Sequence, residues 1–490
     1  MKPSVRFLVL LTAILLALPC FASCGDAEQP KETQTTQESA IFTDVITEET
    51  ETPDVHPYIE QNNYDDICYM AVYERPKNLW TEQREGDVFT EAMFARQVKV
   101  QEYLGVEFIA KYLPSTDIFT TAVKNKDGSI DVLMSSPYLS VANFVLEGQI
   151  RKYNDLTQLE LDADYWRMDY MEELMLEGDI YLGYSDFNIF NTHVVSFNKV
   201  MLDKYSHALD ESLYDSVRNY RWTIDKMISL AKLVYIDTSS DGKTIDDTFG
   251  FTGRQWIPYI GFLHACDIFL VEQNEKGEYE VAVFNEKNQA KTSDLVSKLY
   301  DLAKSDCSWL SYKNEGPDMI YLTSGRSLMT LVETGNLVGY LDYELEFGVL
   351  PYPMYDENQK DVGYRSFNYD GFITFPAYMR NEAMTAETIE MLSFFSAPVQ
   401  SAYYEKQLGK QAADTPDDRE MLQLVWDGIC TDFGLAFSYI SSALDTNLYM
   451  LPTLTYVSTE SQVASYVKSY ENSANKAIAK YIQKYSMKQD

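Results

Sequence analysis

Residues 221–253 read RWTIDKMISLAKLVYIDTSSDGKTIDDTFGFTG and contain a complete helix, a turn and the start of a strand. Thr223 stands immediately before an apolar series at helical spacing, which predicts an N-cap, and Asp225 falls in the first turn, where the helix dipole favours negative charge. The apolar face of this predicted helix consists of Ile224, Met227, Ile228 and Ala231. An Asp-Gly-Lys turn then leads to a Phe-Gly-Phe-Thr-Gly strand start. The stretch carries no catalytic pattern, so we interpret it as scaffold.

Three other stretches have an order of residues as specific as that of 221–253. They are FASC at 21–24, SGRSLMT at 324–330, and YYEKQLGKQAADTPDDREMLQLVWDGICTDFG at 403–434. Together the four stretches resemble extracellular solute-binding lipoproteins of family 1, the substrate-binding proteins of carbohydrate ABC transporters, and in particular their clostridial type. The order of predicted elements follows this family over roughly residues 64–485.

The first part of the body predicts an α/β fold from periodicity alone. Apolar strands at 67–73, 106–112 and 129–134 alternate with helices at 87–103 and 118–125. This alternation is typical of a parallel sheet with right-handed crossovers. The resemblance implies a two-lobed, periplasmic-binding-protein-like fold of type II with a hinge of crossing strands. It places one lobe at 63–190 plus 352–405 and the other at 191–351 plus 406–490.

The N-terminus predicts export and a lipid anchor. Lys2 and Arg6 precede an apolar run at 7–18, which suits a signal peptide and is short for a membrane span. The FASC motif resembles a bacterial lipobox that would end the signal peptide at residue 23 and make Cys24 the lipidated first residue. An ordinary secretory signal is the alternative. Residues 24–62, which are rich in Thr, Glu, Gln and Pro, predict a disordered acidic tether.

Composition excludes some classes of function. The formal net charge of −35 is repulsive to nucleic acid and to anionic lipid. Motifs of zinc proteases, serine hydrolases, P-loops and dinucleotide-binding folds are absent from the sequence, so we expect neither an enzyme nor a cofactor. The acidic loop 237–246 resembles a calcium loop but has Thr248 where a bidentate acid is required, so we expect no metal. The four body cysteines could pair or remain buried thiols.

Candidate ligand-binding residues follow from strand ends and from the resemblance. Ligands of open parallel sheets lie beyond the carboxyl ends of strands, which favours Ser135, Ser136 and Tyr138, although a strand-ending turn would give the same pattern. The resemblance implies that Asn191 lies at the first crossing between lobes and that Trp256 begins a helix over 254–270, where core packing is the alternative. It also implies cleft positions for Glu333, in place of the family's frequent aromatic residue, and for Tyr364, Arg365, Phe367, Tyr369 and Asp370.

These observations predict a lipid-anchored extracellular solute-binding protein. With 37 Tyr among its residues, the chain is rich in flat side chains on which sugars stack. The resemblance implies a carbohydrate ligand, most simply an oligosaccharide, which is captured by hinge closure and delivered to ABC permease subunits. We expect a monomer that contacts the membrane only through its lipid. The alternatives are a secreted carbohydrate-active enzyme, an adhesion lipoprotein, or a solute-binding protein for a non-sugar ligand.

Overall fold

A computed structural model describes most of the chain beyond residue 54. The described residues are 55–73, 81, 86–135, 141–189, 191–240, 242–254, 258–311, 322–343, 345–368, 371–408, 415–447 and 458–489. Residues 52–490 form one compact unit.

The first sheet contains three strands that are parallel, as predicted: β1 (Asp66–Tyr73), β2 (Val106–Tyr112) and β3 (Val132–Ser135). A fourth strand, β13 (Phe372–Thr374), is antiparallel to β3, so the order across the sheet is β13, β3, β1, β2. The crossover helices are α1 (Val88–Leu104) and α2 (Thr116–Asn125), and α3 (Val141–Leu146) follows β3. Helix α1 ends where predicted because Gly105 adopts a left-handed conformation with φ of 62°.

The second sheet follows the order β11, β4, β10, β6, β5, and β9 also pairs with β6. Its central strand β10 is parallel to β6 and antiparallel to β4. The strands are β4 (His193–Asn198), β5 (Tyr235–Ile236), β6 (Thr248–Arg254), β9 (Ser308–Ser311), β10 (Ser327–Glu333) and β11 (Phe347–Leu350). Leu328 and Met329 of the 324–330 stretch therefore lie in the buried central strand of this sheet.

The helix–strand unit at 221–253 packs as its sequence predicts. Helix α7 (Ile224–Ala231) begins after Thr223, whose Oγ1 accepts a hydrogen bond from the Lys226 amide at 3.3 Å. Trp222 is fully buried, and its Nε1 donates to the Pro351 carbonyl at 2.9 Å. A Cβ added at Gly250 would lie 1.8 Å from the carbonyl oxygen of Ala231. Only glycine therefore lets β6 lie this close to the end of α7.

Two small sheets connect the remaining parts. Strands β7 (Val271–Gln273) and β8 (Tyr279–Val281) form a hairpin, and β12 (Ser366–Phe367) pairs in parallel with β14 (Ile429–Cys430). The other α-helices are α4 (Met168–Glu172), α5 (Lys199–Asp203), α6 (Leu213–Arg218), α8 (Pro258–Ala265), α9 (Gln289–Lys304), α10 (Glu382–Phe394), α11 (Ala397–Leu408), α12 (Pro416–Asp427), α13 (Phe433–Ala436) and α14 (Glu460–Gln489). Short 3₁₀ segments lie at Tyr153–Asp155, Ser206–Ala208, Thr334–Tyr343, Glu357–Asp361 and Ser438–Ile440, and a π-helical turn at Ala443–Asn447.

Two predicted elements differ from the structure. The apolar residues within 178–184 predict a strand, but this segment is irregular, and a single bridge between Gly183 and Ile373 extends the first sheet beyond β13. The helix expected over 254–270 is confined to Pro258–Ala265, because Asp267 takes a left-handed φ of 53° and ends it. Apolar periodicity alone therefore overstated regular structure at both places.

The terminal helix α14 contacts elements that belong to both halves of the molecule. Near its start, Glu460 accepts a hydrogen bond from Ser293 of α9 at 2.8 Å, and Asn475 accepts one from the Val281 amide at 2.8 Å. Near its end, Tyr481 donates to the Ala142 carbonyl of α3 at 2.9 Å, and Tyr485 bonds with Asp179. A single 30-residue helix thus joins both halves of the molecule.

The chain enters the body earlier than the sequence predicts. His56 is buried, and its Nδ1 accepts the Ile59 amide at 3.0 Å. Its Nε2 lies 3.4 Å from Glu390, a fully buried carboxylate that also accepts hydrogen bonds from Tyr165 and from Trp166 Nε1. The tether predicted to reach residue 62 therefore extends too far, since this cluster fixes the chain from His56 onwards.

The structure selects buried thiols over disulfide pairing for the four body cysteines. All four are buried and free: Cys68, Cys266, Cys307 and Cys430.

Among the described residues, no helix combines the length and the apolarity needed to cross a membrane.

Candidate functional site

Two chain segments cross side by side between the sheets. The first runs from Ser185 to β4 and the second from β12 to β13. Thr192 pairs with Asn368 in a single bridge, and its Oγ1 donates to the Phe367 carbonyl at 2.6 Å. Asn188 Nδ2 donates to the Gly371 carbonyl at 2.7 Å. These cross-links join the two segments, which is the arrangement expected of a hinge.

Asn191 and Glu333 lie together at one edge of the second sheet. Asn191 immediately precedes the bridge to Asn368, and its Oδ1 accepts the Gly335 amide at 3.4 Å. Glu333 ends β10 opposite His193, and its Oε2 accepts a hydrogen bond from Asn336 at 3.3 Å. Both side chains are half-buried. The edge thus presents an amide and a carboxylate that could pair with the hydroxyl groups of a ligand.

Ser135 lies at the corresponding edge of the first sheet. It ends β3 and pairs with Tyr73 at the end of β1 and with Phe372 at the start of β13. Its side chain is only 2 % exposed. The second crossing segment therefore connects the Ser135 edge with the Asn191 edge.

Several predicted residues contribute differently or fall outside the described residues. Tyr364 is buried and donates a hydrogen bond to the Val217 carbonyl at 3.0 Å. Phe367 is also buried and stacks on His264, with 4.3 Å between the ring centroids. Arg365 forms ion pairs with Glu173 and Asp267. The structure thus assigns these three to packing and ion pairing. The predicted site residues outside the described part of the chain are Cys24, Ser136, Tyr138, Trp256, Tyr369 and Asp370.

The structure adds polar residues that the sequence analysis did not single out. Asn188, Asn368 and Thr334 are all buried, and each bonds to the backbone or to a side chain of the crossing segments. Thr334 Oγ1, for example, accepts the Thr192 amide at 3.3 Å, while the Thr334 amide donates to the Thr192 carbonyl at 2.8 Å. A sequence signal for these residues is an Asn or Thr within an otherwise apolar stretch. Such a residue indicates a hydrogen-bond partner elsewhere in the fold, because a buried amide or hydroxyl requires one.

One carboxyl in the first crossing segment has an unusual environment. Burial raises the pKa of Asp186 to about 7, against the opposing attraction of Arg167. The guanidinium of Arg167 is engaged elsewhere, since it donates to the Trp426 carbonyl at 2.7 Å and pairs with Asp169 at 2.8 Å. Asp186 is therefore a titratable group placed in the hinge.

The acidic loop after α7 uses its carboxylates locally. Asp237 accepts the amides of Ser240 at 2.6 Å and Gly242 at 3.2 Å, and Asp247 accepts those of Thr238 and Thr244. In the part of the chain that the structure describes, no three His, Cys, Asp or Glu side chains are grouped as metal ligands would be.

No protein-family model matches this chain, and no curated protein matches it by sequence. Solved structures do match it in three dimensions. The acarbose-binding GacH receptor of Streptomyces glaucescens has a TM-score of 0.52 and 14 % identity over 85 % of this chain and 98 % of its own. An ABC substrate-binding protein of Listeria monocytogenes in complex with cycloalternan has a TM-score of 0.53 and 13 % identity over 84 % and 99 %.

A maltose-binding protein of Listeria monocytogenes in complex with maltose has a TM-score of 0.52 and 12 % identity over 84 % of this chain and 98 % of its own. At such identities the similarity establishes the fold. The predicted fold class is confirmed: the chain has the mixed α/β, two-lobed architecture of periplasmic binding proteins.

Proposed function

We propose that this chain is a solute-binding protein that captures a carbohydrate between its two lobes. The observation that carries the proposal is the pair of crossing segments, which connect the Ser135 edge of one sheet with the Asn191 and Glu333 edge of the other. A rotation about two short segments brings such edges together around a ligand. Hydroxyl-rich ligands suit the amide and carboxylate groups at these edges.

The structural neighbours support the choice of ligand class. They are described as bound to acarbose, cycloalternan and maltose, which are all carbohydrates. We infer an oligosaccharide rather than a single sugar, delivered by the closed form of a monomeric protein to ABC permease subunits. We expect the lobes to be 63–190 plus 352–405 and 191–351 plus 406–490, except that residues 352–365, which precede the second crossing segment, would belong with the second sheet.

A thermal-shift screen over a library of mono- and oligosaccharides, followed by Trp fluorescence titration, tests this function. We expect one class of oligosaccharide to raise the unfolding midpoint and to bind without conversion to products. A response only to peptides, polyamines or organic anions would refute the carbohydrate assignment. Turnover of a glycan would instead support the enzyme alternative.

A matched pair of variants tests the site itself. Glu333→Gln removes a charge at the proposed edge, whereas Glu346→Gln makes the same change at an exposed position before β11, at the opposite edge of the same sheet. We expect Glu333→Gln to weaken the sugar identified in the screen by about tenfold, because a charged hydrogen bond contributes about 1.5 kcal/mol or more. Equal affinities for the two variants would contradict the placement of the site.

We further propose that Cys24 carries the lipid anchor after removal of residues 1–23 and that the protein resides on the outer face of the cell membrane. Growth with an alkyne-labelled fatty acid should label the chain, and Cys24→Ala should abolish this labelling while Cys20→Ala should not. Labelling that survives Cys24→Ala would refute the anchor.

A further inference from the structure

A cavity of about 460 Å³ lies beside the small sheet formed by β12 and β14. Its lining excludes Ser135, Asn191 and Glu333, so it is separate from the proposed ligand edges. Its walls come from three parts of the chain: the segment after α4, the β7–β8 hairpin, and the ends of the two small strands. Representative lining residues are Glu173, Met175, Gln273, Tyr279, Arg365 and Thr431.

A group of ion pairs crosses one wall of this cavity. Arg365 Nη1 lies 2.9 Å from Glu173 Oε1, and Arg365 Nε lies 3.1 Å from Asp267 Oδ1. The second oxygen of Glu173 accepts the Thr431 amide at 2.7 Å. We refer to Glu173, Arg365 and Asp267 as the hinge latch.

The carboxylates of the hinge latch belong to different halves of the molecule. Glu173 directly follows α4, where Tyr170 stacks on Phe372 of the first sheet with ring centroids 5.6 Å apart. Asp267 lies two residues after the end of α8, where Phe262 packs on Tyr352 beyond β11 of the second sheet with centroids 5.0 Å apart. Arg365 immediately precedes β12, at the start of the second crossing segment, and forms ion pairs with both carboxylates.

We propose that the hinge latch sets the relative arrangement of the two lobes, and that Glu173, Arg365 and Asp267 determine ligand affinity without contacting the ligand. Any rotation about the crossing segments must separate Glu173 from Arg365 and from the Thr431 amide, because these groups are attached to different halves. An open cavity next to the ion pairs provides the room for such a movement. The proposal rests on the two-lobed fold and does not require that the ligand be a sugar.

The environment of the latch makes its rupture costly. Burial raises the pKa of Glu173, and its bonds to Thr431 and Arg365 oppose that rise. The Arg365 guanidinium also lies over the Phe269 ring, 5.3 Å from its centroid. Removal of the Glu173 charge would leave Arg365 with Asp267 as its nearest carboxylate and would favour other lobe arrangements.

The native cysteines provide a reporter of latch opening. Cys430 on β14 is fully buried beside Arg365, and burial raises the pKa of its thiol well above the ordinary value. Since a buried, protonated thiol does not react, alkylation of Cys430 requires that the hinge region open. Cys68 in β1 and Cys307 before β9 are equally buried in the cores of the two lobes and report on unfolding of each lobe.

The test compares Glu173→Gln with Glu172→Gln in the purified protein without ligand. Glu172 is an exposed neighbour that lines the same cavity and has no ion pair among the described residues, so its variant changes the charge equally and leaves the latch intact. We expect iodoacetamide to label Cys430 roughly tenfold faster in Glu173→Gln, as follows from loss of a charged hydrogen bond. Peptide mass spectrometry would give each cysteine's rate separately, and Cys68 and Cys307 should be unchanged.

Two outcomes would overturn the proposal. Equal Cys430 rates in the two variants would show that Glu173 does not restrain the hinge. A parallel rise at Cys68 or Cys307 would show general loosening of a lobe. Asp267→Asn, which suits the left-handed backbone at this position, should give an intermediate rate because the Glu173–Arg365 pair survives. Because no ligand is added, failure here leaves the proposed carbohydrate function untouched, and failure of the sugar screen leaves the latch untouched.

Discussion

The hinge carboxyl of Asp186 gives a quantitative prediction. Its pKa of about 7 exceeds the ordinary value of 3.8, because burial penalises the charged form. The unfolded chain releases this proton near pH 4, whereas the folded protein holds it until about pH 7. The folded state therefore loses stability relative to the unfolded state as pH rises between these values, and the full penalty is present above about pH 7.

The substitution Asp186→Asn removes this penalty with little change in shape. Each pKa unit corresponds to about 1.4 kcal/mol, so the upper limit of the effect is about 4 kcal/mol. We expect about 2 kcal/mol, because a side chain that is not fully buried can gain water when it ionises. The variant should match the parent near pH 3, where the Asp186 carboxyl is protonated in both the folded and the unfolded state, and should exceed it in stability at about pH 8.5.

Chemical denaturation at several pH values measures the difference in the free energy of unfolding. Asp155→Asn serves as the control, since Asp155 is exposed and lies outside the hinge. Arg167 is the cation that acts on Asp186, and the Asp186 charge in turn contributes to the raised pKa of the Tyr404 hydroxyl. A stability difference that is constant with pH, or a variant less stable than the parent at high pH, would refute the assignment of a buried, uncompensated carboxyl.

Three further changes test the packing, each by denaturant unfolding. Gly250→Ala should lower the free energy of unfolding by about 3 kcal/mol, because its Cβ would lie 1.8 Å from a backbone carbonyl. The control Gly253→Ala should lower it by under about 1 kcal/mol, because the nearest neighbour of its Cβ is a side-chain atom at 3.8 Å. Trp222→Phe should cost about 2 kcal/mol through the lost bond to Pro351 and the vacated volume. Glu390→Gln should lower the free energy of unfolding by about 3 kcal/mol, because the new amide places its protons against the donors of Tyr165 and Trp166. The same variant should be cleaved faster by proteases before His56. Unchanged stability in any of the three variants would contradict the corresponding contact.

Local patterns predicted the elements whose signals lie within a few residues of chain. The Thr223 cap, the extent of α1 and the alternation of β1, β2 and β3 with helices were all readable, because capping and periodicity depend on neighbours in sequence. The same reasoning was wrong over 178–184. The apolar residues there reflect burial beside β13, and a neighbour so distant in the chain cannot be predicted from the local sequence.

The candidate site shows the same division. Asn191 and Glu333 were proposed through a family resemblance, and the structure places them at one edge. Asn188, Asn368 and Thr334 were missed, because their partners lie more than a hundred residues away in the chain. A buried amide has no local signature that distinguishes it from an exposed one.

The sequence by itself determined helices α1, α2 and α7, the parallel order of the first sheet and the fold class, since these depend on short-range spacing and on a characteristic order of elements. Tertiary structure alone decided that four cysteines stay reduced, that Gly250 must lack a side chain, and that Glu173 meets Arg365 across the hinge. Each of these depends on distances between residues far apart in the chain. Such distances are set only when the two sheets and their crossing segments pack together.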